Sequence, residues 1–256
     1  MDDTQRLRYS RHLLLDEWTE DAQERLLASH ALVVGAGGLG APALMYLASS
    51  GVGRITVLDP DVVELSNLQR QVLHTTERVG LSKVQSAQVG LAALNPEVSV
   101  TPMWAAADAA VLDTLLPWVD VVLDCTDRFD TRQIINQACV KHAKPLVSAS
   151  AVRMDAQLAV FDPRRADSPC YACLFPPDAP PVEERCATLG VFAPLVGAVG
   201  LMQAGQAIKL LAQLPEMGQA AHGRLLMLDA RTWETSAIRV RRNLHCPVCA
   251  QQEESP

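Results

Sequence analysis

The sequence has no block of like charge, no low-complexity tract, no internal repeat and no apolar stretch that reaches membrane-spanning length without interruption. Each absence removes a class. A formal net charge of −7 with no block of like charge argues against a sequence-independent grip on the phosphate backbone of DNA or RNA, while local basic clusters can still bind a nucleotide. The N-terminus, MDDTQRLRYSRH, is charged where a secretory signal needs an apolar core, so the reading is a soluble cytoplasmic protein with no membrane partner. A hydrophobic share of 49% and a charged share of 20% are those of an ordinary folded body, and 256 residues suffice for a large core. Seven cysteines in such a compartment argue for metal binding or thiol chemistry over a disulfide framework.

The order of elements gives the fold class. Ala31–Val34 is a short apolar run that ends in Gly35-Ala36-Gly37-Gly38-Leu39-Gly40, and Pro42–Ser50 then reads as a helix. A second strand, Arg54–Leu58, ends in Asp59, as expected of a parallel βαβ unit. Ser82 caps a helix to about Leu94; a strand near Val98–Thr101, a helix from about Ala107 and a strand over Val119–Leu123 continue the alternation. After a helix around Thr131–His142 and a strand at Pro145–Ala149 the rhythm changes. Gln157–Phe161 reads as an antiparallel extension, Pro163–Pro181 as loop, Pro194–Leu214 as a long helix, and Leu225–Leu228 and Ala237–Val240 as strands. The expectation is an α/β protein with a Rossmann-like, mostly parallel sheet, helices on both faces and an antiparallel C-terminal extension.

The glycines at 35, 37 and 40 allow backbone N–H groups to approach a phosphate at a helix N-terminus, and Asp59 lies at the distance along the chain that suits a ribose hydroxyl. These two features fit NAD in an oxidoreductase as well as they fit ATP. Asn67 and Arg70, in LSNLQRQ just beyond Asp59, have no obvious use in a dehydrogenase, and Arg70 with Lys83 can offset triphosphate charge. Read blandly, both cations are surface charges, and Asp127, at the end of LDCTD, is a helix N-cap.

Two CxxC turns, Cys170-Tyr171-Ala172-Cys173 and Cys246-Pro247-Val248-Cys249, have the spacing that brings four thiolates to one tetrahedral zinc ion. A redox role would need only one pair. Cys125 and Cys139 read as buried small apolar residues, whereas Cys186 sits in a polar loop where a thiol is either reactive or idle.

Together the GAGGLG loop, LSNLQRQ, LDCTD and the paired CxxC turns resemble the ThiF/MoeB family over nearly the whole chain, with ThiF somewhat the nearer judged on TRQIINQACV and CPVC. The resemblance implies one adenylation domain over 1–256: N-terminal helices to about 29, a nucleotide-binding core over about 30–150 and a carrier-binding and zinc region over about 151–256. It implies that ATP and Mg²⁺ are used to adenylate the C-terminal glycine of a ubiquitin-like sulfur-carrier protein ending in Gly-Gly. Within the site, Gly35, Gly37, Gly38, Gly40 and Asp59 would hold the nucleotide, Asn67, Arg70 and Lys83 its phosphates, and Asp127 the magnesium. It further implies a homodimer in which Arg11 reaches the neighbouring subunit's site, and in ThiF-like members a covalent role for the cysteine at position 186. The chain ends soon after the second CxxC, so sulfur is expected from a separate cysteine desulfurase or sulfurtransferase. Arg128, where the family often has asparagine, and Thr188-Leu189-Gly190 depart from the pattern and weaken any transfer of carrier specificity. A non-catalytic zinc-bound scaffold for a ubiquitin-like partner is the other alternative.

Overall fold

A computed structural model describes residues 1–179, 189–214 and 223–250. Eight strands form one sheet in the order β3-β2-β1-β4-β5-β6-β7-β8: β1 (His30–Val34), β2 (Arg54–Leu58), β3 (Ser99–Met103), β4 (Val121–Asp124), β5 (Leu146–Val152), β6 (Asp155–Phe161), β7 (Arg224–Asp229) and β8 (Glu234–Arg239). The first five are mutually parallel and the last three antiparallel, as the sequence rhythm predicts. The change of direction at β5–β6 follows from the chain: only Arg153 and Met154 separate the two strands, too few residues for a parallel crossover.

Strand alternation divides the core. In β1, Ala31 and Val33 face one layer while Leu32 and Val34 face the other. The first layer receives α3 (Glu20–Ala28), α4 (Gly40–Ser50), α5 (Lys83–Leu94) and α9 (Ala193–Ala212). The second receives α6 (Ala109–Leu115), α7 (Phe129–Lys141) and the short α8 (Tyr171–Leu174). Two small helices, α1 (Asp3–Arg8) and α2 (Ser10–Leu13), precede them. Ser82 caps α5 as expected, accepting from the Gln85 N–H; Asp108 and Thr19, not foreseen as caps, accept likewise from the N–H groups of Val111 and Ala22. The proline-rich loop departs from expectation by folding α8 inside it, with Cys170 as its N-cap.

Helix α9 is, among the described residues, the one helix long and apolar enough to cross a membrane, and over half of its apolar window is packed inside the protein. A methyl group on Gly200 would stand 2.3 Å from the Leu39 carbonyl oxygen, so glycine there lets α9 lie directly against the start of α4. In this apolar helix Gln203 is wholly buried. Its Nε2 donates to the carbonyls of Asp124 (2.8 Å) and Val147 (3.2 Å), and its Oε1 lies 3.4 Å from the Cys125 thiol. One side chain thus fastens the end of β4 to the start of β5.

Gln203→Leu keeps the volume but removes both bonds to these buried carbonyls. Urea unfolding should show a loss of about 2–4 kcal/mol, and an unchanged midpoint would show that the carbonyls find other donors.

Candidate nucleotide site and cysteine cluster

Strand order reverses between β1 and β4, and a crevice opens there beyond the carboxyl ends of the strands. It holds a cavity of about 640 Å³, in the range of a small-molecule site. Gly35, Gly37, Gly38, Asp59, Asn67, Arg70, Lys83 and Asp127 all line it, so eight residues singled out from the sequence meet in one place. Gly40 and Arg11 do not line it.

The glycines differ in what they do. Gly35 has φ +98°, and a Cβ there would lie 2.8 Å from the Cys125 carbonyl oxygen; a Cβ on Gly40 would lie 1.8 Å from the Gly35 oxygen. Both are fixed by the turn itself. Around Gly37 the nearest atom to such a methyl is 3.5 Å away, so the protein leaves room there and the space belongs to the cavity.

Asp59 is buried, with Oδ2 accepting from the Ala36 N–H (2.7 Å) and Oδ1 from the Asp61 N–H (2.8 Å). Burial pushes its carboxyl above the usual range, opposed by Lys83 and by those two N–H groups. Each oxygen retains a lone pair that a ribose hydroxyl can use. Asn67 closes the turn that carries Arg70 by accepting from the Glu64 N–H at 3.2 Å. Arg70 Nη1 donates to the Ser66 carbonyl at 3.1 Å, and no carboxylate pairs with it among the described residues. Lys83 is the first residue of α5, where the helix dipole disfavours a cation, and it is buried nonetheless. It pairs with the exposed Asp61 at 2.7 Å.

Asp127 is exposed at the rim. The N-cap of α7 is Arg128, which makes no side-chain cap bond, so the capping role weighed for Asp127 is not the one it plays. The turn before it is set by groups the sequence reading did not single out. Fully buried Asp124 accepts from the Thr126 N–H (3.0 Å) and hydroxyl (2.7 Å) and from the Ser148 hydroxyl (2.9 Å), while buried Arg132 donates to the Thr126 carbonyl. Asp124 stands inside LDCTD, but its partners are distant in sequence and no local pattern announces them. Cys125 and Cys139 are buried, as expected, and burial raises both thiols far above the usual range.

Arg11 is exposed on α2. Its neighbour Tyr9 is buried, packs over Gly51 and accepts from Asn95 Nδ2 at 3.0 Å, which anchors the N-terminal helices beneath that arginine. Cys186, with Thr188, lies outside the described residues.

Away from the crevice Cys170, Cys173, Cys246 and Cys249 place their sulfurs within 4.8 Å of one another. The individual separations are 3.9 Å (170–173), 3.6 Å (170–246) and 3.5 Å (173–249). Tetrahedral thiolates about 2.3 Å from a zinc ion stand about 3.8 Å apart, so the donor set fits that metal. Bonds from the Cys170 and Cys249 thiols, then from the Asn243 and Cys170 N–H groups, hold the Cys173 thiol well below the usual range, which favours a thiolate. All four are free of disulfides.

A doubly wound sheet with a glycine turn, a buried acid and an arginine without a carboxylate partner at its switch point defines a nucleotide-binding α/β protein. The sequence model of the ThiF family matches residues 9–248, and the chain belongs to that family. It is 43% identical over 256 residues to the sulfur carrier protein ThiS adenylyltransferase of Escherichia coli, covering all of both chains. It is 44% identical over 254 residues to the molybdopterin-synthase adenylyltransferase of that organism, covering 98% of this chain and 99% of that one. The SAMP-activating enzyme E1 of Haloferax volcanii is 45% identical over 252 residues, 98% of this chain and 91% of its own. The crystal structure of E. coli MccB with ATP superposes with a TM-score of 0.83 at 24% identity over 95% of this chain and 74% of that chain, a likeness of fold.

Metal analysis of the purified protein should give about one zinc per chain. Cys246→Ser should lose it and make the segment around residues 243–249 sensitive to limited proteolysis; full metal retention in that variant would remove Cys246 from the ligand set.

Proposed function

We propose that the protein is an adenylyltransferase that uses ATP to activate the C-terminal glycine carboxylate of a ubiquitin-like sulfur carrier. The observation that carries the proposal is the gathering of Arg70, Lys83 and Asp127 around the glycine loop and Asp59. A hydride-transfer enzyme has no evident use for those three charges, and relatives more than 40% identical over nearly the whole chain are named for adenylating carriers or activating SAMP. A scaffold without chemistry would not need them either.

In this reading Asp59 orients the ribose and the loop N–H groups receive the phosphates, with Asn67 placing Arg70. A carboxylate oxygen of the carrier attacks the α-phosphorus. The bond from that phosphorus to the α–β bridging oxygen breaks, and the electron pair leaves with pyrophosphate, giving acyl-adenylate. Arg70 and Lys83 stabilise charge that builds on the phosphate oxygens; Lys83 would exchange part of its hold on exposed Asp61 for them. Asp127 supplies an oxygen donor suited to Mg²⁺, which when bound neutralises phosphate charge. The four cysteines hold zinc. We further propose one adenylation unit over the whole chain, working as a homodimer in the cytoplasm with Arg11 serving the neighbouring site, and a separate protein as sulfur donor. ThiS and molybdopterin-synthase relatives stand at 43% and 44% identity, so the shared chemistry of the carrier tail, more than one pathway, is what the likeness supports.

ATP–pyrophosphate exchange that requires a Gly-Gly-ended carrier is the test. Arg70→Ala and Asp127→Ala should each lower exchange about 100-fold or more with zinc content and folding intact; normal exchange in either would dismiss that residue. Cys186→Ala should leave exchange intact and, if the covalent route operates, abolish thiocarboxylate formation alone; retained thiocarboxylate would leave that thiol without a role.

A further inference from the structure

We infer that His74 is a positioning residue, fixing the peptide between Ala36 and Gly37 so that the Gly37 N–H points into the crevice. The inference rests on the nucleotide reading and deepens it.

His74 is buried beneath the glycine loop, 38 residues from Ala36 in sequence. Its Nε2 lies 2.9 Å from the Ala36 carbonyl oxygen and its Nδ1 2.8 Å from Ser86 Oγ. A carbonyl only accepts, so Nε2 carries the proton, and the Ser86 hydroxyl donates to a neutral Nδ1. Burial lowers the ring's pKa, with Lys83 and Arg78 acting in the same direction and the Ala36 carbonyl against them, which favours that neutral form. The frame is itself held: Arg78 Nη1 donates to the Ser86 carbonyl at 2.8 Å and the Leu73 carbonyl at 3.2 Å.

In a planar trans peptide the C=O of one residue and the N–H of the next point in opposite directions. The Ala36 oxygen is turned toward His74, so the Gly37 N–H is turned away from it, and Gly37 lines the cavity. No described residue accepts from that N–H. The other side of Ala36 is also pinned, its N–H bound by Asp59. The clamp has a reason. Gly35 and Gly37 flank Ala36, glycine rotates freely in both hemispheres of φ, and a 36–37 peptide without an anchor could turn over at little cost. Asp59 and His74 therefore grip one alanine from two sides: the acid serves the sugar end of a nucleotide, and the histidine directs a donor to its phosphates.

Equilibrium binding of ATP and of adenosine separates these roles. His74→Phe keeps a ring and removes the donor; ATP affinity should fall roughly 3- to 10-fold while adenosine affinity stays within about twofold. His74→Gln, whose amide nitrogen can reach the Nε2 position, should recover most of the loss. His74→Asn, which loses the bond to Ala36 and keeps a group near Ser86, should match the phenylalanine variant and replaces it if that protein does not fold. Unchanged ATP affinity in both donor-less variants, an equal fall for ATP and adenosine, or no recovery with glutamine would overturn the inference. If the parent protein bound no ATP, the nucleotide reading itself would fail. Crystal structures of the parent and His74→Phe without nucleotide would still decide, because a 36–37 peptide that keeps its direction in the variant shows that the histidine does not set it.

Discussion

The reversal of strand order between β1 and β4 is the constraint on which the rest depends. The chain leaves β1 toward one face of the sheet and β4 toward the other, so the carboxyl ends of these paired strands stay uncovered and a crevice opens between the two connections. Everything polar in the site is arranged around this gap. Gly35 lies against the Cys125 carbonyl, so the glycine turn at the tip of β1 and the acidic turn at the tip of β4 touch, and neither can shift without the other. Helix α9 backs both: Gly200 brings it onto α4, and Gln203 ties β4 to β5. The C-terminal half, which contributes no strand to the glycine turn, therefore braces it.

A division of labour runs through the charged groups. Asp124 and Arg132 are buried and spent on the Thr126 turn, whereas Asp127 and Arg70 stand with free valences toward the crevice. Lys83 is intermediate, buried yet paired to an exposed acid that a stronger anion can outcompete. Burial costs are met where geometry has to be exact to a fraction of an ångström, and solvent exposure is kept where a ligand must displace water.

How much of this was legible in the sequence depends on the range of the interaction. Strands β1, β2 and β4 were readable because buried parallel strands are continuous apolar runs, and Ser82 because a cap is a local event. The glycine loop, Asp59 and Asp127 were recognisable because they stand at strand ends, whereas Asn67, Arg70 and Lys83 drew their expected roles from the family resemblance of the combined motifs. His74, Asp124, Ser148, Arg132 and Gln203 were not singled out. Gln203 meets Asp124 79 positions away, and a histidine in an irregular stretch has no periodic signature to mark it as the partner of Ala36. The Pro163–Pro181 segment hid α8 because four helical residues nucleated by a cysteine cap leave no apolar period to detect.

The cysteine cluster joins positions 76 residues apart, and that span includes α9 and strands β7 and β8. During synthesis the first CxxC leaves the ribosome long before the second, so the four-sulfur set is incomplete until α9, β7 and β8 have emerged. For that interval the N-terminal strands can already pair, while the helix that braces their tips is still being made. A metal ion held by all four thiols would thus join the set late and close a long loop around finished structure, and the entropy it would remove from the unfolded chain grows with the length of that loop.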